Sequence, residues 1–143
     1  MGGRGSISAG TEETSRKRQG GLSGITLDAG GLIALDRNDR RVLALIARAG
    51  ERGARVTIPA TALAQAMRNP VRQARLSRLM RQAGTDIMDL NGPDATAVGL
   101  LLARTATADI SDAHVVVCAR RARQAVLTSD LRRIAPELPL VEV

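Results

Sequence analysis

The sequence predicts one α/β domain whose parallel β-sheet is covered by helices on both faces. Short apolar segments alternate along the chain with stretches in which apolar residues recur at helical spacing. That alternation is typical of β-α-β units joined by right-handed crossovers. The length of 143 residues and the hydrophobic fraction of 44% also suit one domain with one core.

The elements of this domain are predicted in order along residues 25–143, after a flexible, glycine-rich tail over residues 1–24. The predicted strands are Ile25–Asp28, Arg55–Ile58, Asp86–Leu90, Ala125–Thr128 and Leu138–Val143. The Gly30-Gly31 pair is expected to form a corner that leads into a helical turn. The helices after it are predicted at Val42–Ala49, Thr61–Arg68, Pro70–Ala83, Pro93–Arg104 and Asp109–Arg123.

Composition excludes several classes of protein. The chain has no aromatic residue, so it offers no platform on which nucleobases could stack, as in RNA-recognition and single-strand-binding modules. Its one lysine, Lys17, lies in the predicted tail, which argues against phosphate chemistry that needs a lysine in the folded domain. One cysteine, Cys118, excludes an internal disulfide. No signal sequence or membrane span is found, so a cytoplasmic protein is expected.

Positive charge is concentrated in one part of the chain. The net charge is +7, and seven arginines with no acid lie between Glu51 and Asp86, at positions 52, 55, 68, 72, 75, 78 and 81. Such a segment indicates a polyanionic or acidic partner. A solvated arginine face explains it equally well.

Three aspartates are predicted to meet at the carboxyl ends of the strands, where ligands of open α/β sheets bind. Asp28 ends the first strand, Asp130 follows the fourth, and Asp112 lies in the first turn of the helix before it. Close carboxylates repel one another unless a cation neutralises them, and oxygen ligands suit Mg²⁺ or Mn²⁺. A metal held in this way can activate water for attack on a phosphodiester.

Most of these acids also have a structural explanation. Asp109 is explained equally well as the N-cap of its helix, where a carboxylate satisfies unpaired backbone N–H groups. Asp112 would also interact with the helix dipole, and Asp130 could cap the turn after it. Asp28 has no obvious structural duty.

Four other residues of this region are open to more than one interpretation. Thr128 and Ser129 would either contact a phosphate or metal-bound water or complete a turn. His114 is expected to pack within the domain or lie on a helix surface rather than bind a metal by itself, and Cys118 is expected in the core.

Four short motifs follow one another along the chain. They are Leu27-Asp28-Ala29, Ile58-Pro59-Ala60-Thr-Ala-Leu-Ala-Gln65, Asp109-Ile-Ser-Asp112-Ala113-His-Val-Val-Val-Cys-Ala119-Arg and Val126-Leu127-Thr128-Ser129-Asp130. In this order and spacing they resemble the motifs of the PIN-domain family, notably the VapC-type toxins. The similarity runs from about Gly24 to Val143.

The resemblance implies a three-layer PIN fold with strand order 3-2-1-4-5 and a ribonuclease that depends on Mg²⁺ or Mn²⁺. It assigns Asp28, Asp112 and Asp130 to the metal site, with Asp109 as an accessory acid. It also implies a VapB-like antitoxin that wraps the toxin, and toxin dimers. Gln65 departs from the pattern, because family members usually carry Glu there, and the site would lose one negative charge.

These observations lead to three hypotheses. The first is a metal-dependent endoribonuclease in which Arg68, Arg72 and Arg75 hold the RNA backbone. The second is a PIN module weakened in catalysis by Gln65, which acts by binding RNA or a partner protein. The third is a structural α/β domain whose apolar helices mainly dimerise.

Overall fold

Five parallel strands form one sheet within the residues that the computed structural model describes, which are 24–105, 109–128 and 140–142. The strands are β1 (Gly24–Leu27), β2 (Arg55–Pro59), β3 (Thr85–Met88), β4 (Ala125–Thr128) and β5 (Leu140–Glu142). Their order is β3-β2-β1-β4-β5, and every neighbouring pair is parallel. The predicted fold class and strand order are therefore confirmed. The predicted tail lies outside the described residues, apart from Gly24, the first residue of β1.

Six helices connect these strands in the described ranges. They are α1 (Ala29–Asp36), α2 (Arg40–Glu51), α3 (Ala60–Ala66), α4 (Ala74–Met80), α5 (Gly92–Thr105) and α6 (Ile110–Ala122). The predicted glycine corner is wrong, because Gly30 and Gly31 lie inside α1. None of these helices combines the length and the apolarity that a membrane span requires.

The helix predicted from Pro70 starts later, at Ala74. Residues 69–73 close instead as consecutive turns, in which the N–H groups of Arg72 and Gln73 donate to the carbonyls three residues earlier. The Gln73 side chain stabilises this loop, because its Oε1 accepts the N–H groups of Arg68 and Asn69, each at 2.8 Å. Its Nε2 donates to the carbonyl of Ala66. One buried amide therefore replaces the helical hydrogen bonds expected here.

The core is aliphatic on both sides of the central strands. Leu27 of β1, Ile58 of β2 and Leu127 of β4 are fully buried, as are Leu32 of α1 and Val115 of α6. Cys118 lies in the same interior at 2% exposure, and its burial raises the pKa of the thiol to about 11. The predicted core role of Cys118 is confirmed, and the thiol stays protonated at neutral pH.

An ion pair joins α5 to α6. Asp94 in the first turn of α5 has a side chain that is only 2% exposed, and both terminal nitrogens of the Arg121 guanidinium donate to its carboxylate. The hydrogen bond from Arg121 holds the pKa of Asp94 below its usual value. Asn91 accepts the Asp94 N–H at 2.9 Å and so caps the same helix end. The pair fixes α6, which carries Asp112, against α5.

Replacing this buried acid tests the energetic importance of the pair. Asp94→Asn should lower the free energy of unfolding at pH 7 by about 2 kcal/mol, because the charged hydrogen bonds are lost. The pKa of Asp94 is lowered in the folded protein, so the pair stabilises above the ordinary value of 3.8. Its contribution is lost as pH falls through the lowered pKa.

Urea unfolding of the wild type and of Asp94→Asn should be measured between about pH 5 and pH 2. The difference between their free energies of unfolding should become smaller as the pH falls. Glu51→Gln, which removes an exposed carboxylate from the end of α2, is the matched control and should change little at any pH. A difference that stays constant down to pH 2 would contradict this account.

Candidate functional site

The candidate site lies at the edge of the sheet where the strands end. Strands β1 and β4 are paired in register, with Leu27 opposite Leu127, so Asp28 and Thr128 come to the same edge. The Asp28 N–H donates to the Leu127 carbonyl at 3.3 Å, which extends the pairing by one residue. Helix α3 also begins at this edge, since it follows β2 directly.

Asp28 is 7% exposed and forms the N-cap of α1. Its Oδ1 accepts the Gly31 N–H at 2.7 Å. The expectation that Asp28 has no structural duty is therefore wrong, because its carboxylate satisfies an N–H at the start of the helix. Gly31 is required by close packing, since a Cβ there would lie 2.6 Å from the Leu127 carbonyl oxygen. Helix α1 thus begins in direct contact with β4.

Asp109 plays the same part at α6. It is the N-cap residue, and its Oδ1 accepts the Asp112 N–H at 2.8 Å, which confirms the capping interpretation. Asp112 lies in the first turn and is half-buried. Carboxylates at both positions are favoured by the positive end of the helix dipole. Asp130 and Ser129 lie outside the described residues, so their assigned roles stay predictions.

Helix α3 carries Gln65, whose side chain is exposed. One turn earlier, Thr61 Oγ1 lies 2.8 Å from Nδ1 of His114, which is fully buried in α6. Burial lowers the pKa of His114, so the ring is neutral at neutral pH. Of the two placements predicted for His114, packing within the domain is confirmed and the helix surface is wrong. Its contact with Thr61 could not be predicted from two residues 53 positions apart.

The side chains brought to this region are oxygen donors, as Mg²⁺ and Mn²⁺ prefer. Asp28 and Asp112 offer carboxylates and Gln65 an amide oxygen. Within the described part of the chain, no three His, Cys, Asp or Glu side chains form a group that could hold a metal. The set proposed from the sequence also needs Asp130. The donor chemistry fits a hard divalent cation, and metal binding itself stays a prediction.

The arginine segment serves several different purposes. Arg68 Nη1 donates to the carbonyls of Ala64 and Met67, each at 2.9 Å, at the C-terminal end of α3. Arg75 reaches the Asp36 carbonyl at the end of α1, at 3.4 Å. Two of the three arginines predicted to bind RNA thus also contact helix ends.

Arg72, Arg55 and Thr128 differ in their surroundings. Arg72 is exposed on the loop that Gln73 holds, and its neighbour Val71 is 90% exposed. Arg55, the first residue of β2, forms a bidentate pair with Asp86, the second residue of β3. Thr128 is fully buried, in contrast to the exposed arginines.

An open apolar groove lies elsewhere, between α5 and α6. Its lining consists of Ala97, Leu100, Leu101, Ala103, Arg104, Val117 and Arg120. Leu100 is 65% exposed there. The lining contains no carboxylate, so this groove is not part of the candidate metal site.

Comparison with known proteins identifies the fold. No family model matches the chain, and no curated protein sequence does. The crystal structure of VapBC2 from Rickettsia felis bound to a DNA fragment from their promoter contains a similar chain. The TM-score is 0.58 at 13% identity, over 83% of this chain and 98% of that one.

A second solved structure, FitAcB from Neisseria gonorrhoeae, is similar with a TM-score of 0.54 at 18% identity. The similarity covers 81% of this chain and 95% of that chain. At these identities the likeness concerns the fold. The three-layer, PIN-like fold predicted from the sequence is confirmed.

Proposed function

We propose that this protein is a metal-dependent endoribonuclease of the VapC toxin type. The observation that carries the proposal is that two aspartates lie at helix starts of a PIN-like fold. Asp28 follows the central strand β1, and Asp112 lies in the first turn of α6. The likeness to VapBC2 and FitAcB supports it at the level of fold.

In this proposal, Asp28, Asp112 and Asp130 hold Mg²⁺ or Mn²⁺, and Gln65 contributes an amide oxygen from α3. The bound cation would lower the pKa of a water molecule and stabilise the negative charge that builds on the RNA phosphate. The Asp28 carboxylate is oriented by the hydrogen bond that it accepts from Gly31, and the backbone at Asp112 is held by the capped helix start at Asp109. The Asp28 carboxylate is thereby oriented before substrate binds.

The partners proposed for the chain follow from the same likeness. The Rickettsia structure is of VapBC2 with promoter DNA. We extend this to a VapB-like antitoxin for the present chain, with a homodimer as its proposed assembly and the cytoplasm as its compartment. RNA would be held by its phosphates through the exposed arginines around Arg72, a mode that gives affinity without sequence readout.

A cleavage assay tests the catalytic proposal. Incubation with a pool of structured RNAs should give cleavage with Mg²⁺ or Mn²⁺ and none with EDTA. Asp28→Asn should lower the rate of cleavage at least about 100-fold. Even the substitution of a residue that only hydrogen-bonds to a metal ligand lowers activity by up to about that factor. Asn keeps an oxygen that can cap α1, so this variant should retain its stability.

Asp28→Ala is the matched structural control, since it removes both the charge and the cap and should lower the free energy of unfolding by about 1 kcal/mol. Equal cleavage by the wild type and by a folded Asp28→Asn variant would exclude Asp28 from catalysis. Cleavage that persists in EDTA would exclude the metal.

Gln65 favours the second candidate function, a PIN module that binds RNA or a partner and cleaves poorly. Gln65→Glu restores the charge that the family usually carries. It should raise Mn²⁺ affinity about tenfold, equivalent to roughly 1.4 kcal/mol, and increase cleavage. The side chain is exposed, so the substitution should not disturb packing.

Titration calorimetry with Mn²⁺ measures the affinity, and the RNA assay measures the rate. Gln82→Glu adds the same charge at another exposed glutamine, just before β3, and should change neither. Tight metal binding without cleavage in Gln65→Glu would favour the binding module. Unchanged affinity would remove Gln65 from the metal site.

The arginine loop generates a separate prediction. In an Asp28→Asn background, which prevents cleavage, Arg72→Ala should weaken binding of single-stranded RNAs about equally for different sequences. The slope of log K against log salt should fall by about 0.7, the value for one phosphate contact. Fluorescence anisotropy over a NaCl series measures it. Arg48→Ala, on the exposed face of α2, is the control and should leave the slope unchanged.

A slope that Arg72→Ala leaves unchanged would remove the loop from the RNA site. A loss of affinity confined to one RNA sequence would also contradict a contact with phosphate.

A further inference from the structure

One hydrogen bond between side chains joins the two helices that carry Gln65 and Asp112. Thr61 Oγ1 and His114 Nδ1 lie 2.8 Å apart. His114 is fully buried, and Thr61 is half-buried at the second position of α3. The ring's other nitrogen, Nε2, is also buried, and the Asp89 backbone interacts with the ring as well. Thr61 is the side chain that forms a hydrogen bond with this imidazole.

Helix α3 is shorter than α1 and α6, the other two helices of the candidate site. It has seven residues, and its N-cap, Pro59, makes no capping hydrogen bond with its side chain. A helix of this length is not stable by itself. Its buried side chains are Ala62 and Ala66, which are small, and the half-buried Leu63 also packs against the core. A directional polar contact adds to this packing in fixing where α3 lies.

Helix α6 is, by contrast, a fixed support. It has 13 residues, is capped by Asp109 and is tied to α5 by the pair of Arg121 with Asp94. The helix also packs against β1, β2 and β4. A bond to His114 therefore positions α3 relative to α6 rather than the reverse.

The same bond links two predicted ligand positions. Thr61 and Gln65 are four residues apart and share one face of α3. His114 follows Asp112 by two residues, so the two side chains leave α6 in different directions and are connected through the helix backbone. The bond between Thr61 and His114 therefore joins the helix that carries Gln65 to the first turns of the helix that carries Asp112.

We propose that the hydrogen bond between Thr61 and His114 is a positioning contact that sets the spacing between residue 65 and Asp112 in the metal site. This inference rests on the proposed function, since it concerns the same site. Thr61 and His114 are positioning residues that do not touch metal or RNA. The contact acts through the placement of α3.

The test is a double-mutant cycle read by Mn²⁺ affinity. Gln65→Glu is introduced into the wild type, into Thr61→Ser, which keeps the hydroxyl, and into Thr61→Val, which replaces it with a methyl group of similar size. The gain from Gln65→Glu should be about tenfold in the first two and below about threefold in Thr61→Val, because substitutions coupled through a backbone shift are not additive. Titration calorimetry gives the affinities, and thermal melting verifies folding.

A purely structural role of Thr61 would lower the melting temperature but leave the gain unchanged, and equal gains in all three backgrounds would overturn the inference. Thr61→Ala, a smaller and helix-favouring side chain, repeats the test if Thr61→Val does not fold. If neither Gln65→Glu nor Asp28→Asn alters Mn²⁺ binding in the wild-type background, the proposed function fails and the inference fails with it. The two failures are therefore distinguishable.

Discussion

The contact between the start of α1 and strand β4 is the constraint on which the candidate site depends. A Cβ at Gly31 would meet the Leu127 carbonyl oxygen at 2.6 Å, so the helix can lie this close only with glycine there. The Gly31 N–H then bonds to Asp28 Oδ1. The start of α1 therefore contacts β4 and also orients the Asp28 carboxylate at the end of β1. A substitution that moved α1 outward would move Asp28 as well.

Helices α1 and α6 each begin with an aspartate as the N-cap residue. Asp28 caps α1 and Asp109 caps α6, where Asp112 occupies the first turn. The partial positive charge of each helix end favours a nearby carboxylate and offsets part of the repulsion between acids. Capping and metal binding are compatible, because a carboxylate has about four lone-pair positions and a cap uses one. A structural duty for Asp28 is thus no argument against a functional one.

The sequence predicted what local patterns determine. Apolar runs locate the strands, and the resemblance implies their order. The place of Asp109 before an apolar helix indicates a cap as one of its two explanations. No local pattern predicts the cap at Asp28, because two glycines after an acid suggest a corner, whereas close packing against β4 requires Gly31 inside a helix. The later start of α4 depends on the buried Gln73 amide. Contacts such as Thr61 with His114 arise from tertiary packing, which no local pattern shows.

The arginine segment between Glu51 and Asp86 contributes to the fold as well as to the surface charge. Arg68 and Arg75 donate to carbonyls at the C-terminal ends of α3 and α1, where the helix dipole favours a cation. Part of the positive charge therefore stabilises the fold. Arg72 differs, because it extends from a loop that Gln73 holds with three hydrogen bonds, so less backbone entropy would be lost when it binds a ligand. The chain has no aromatic ring on which bases could stack, so the RNA contact proposed for this loop is an exposed guanidinium beside a phosphate.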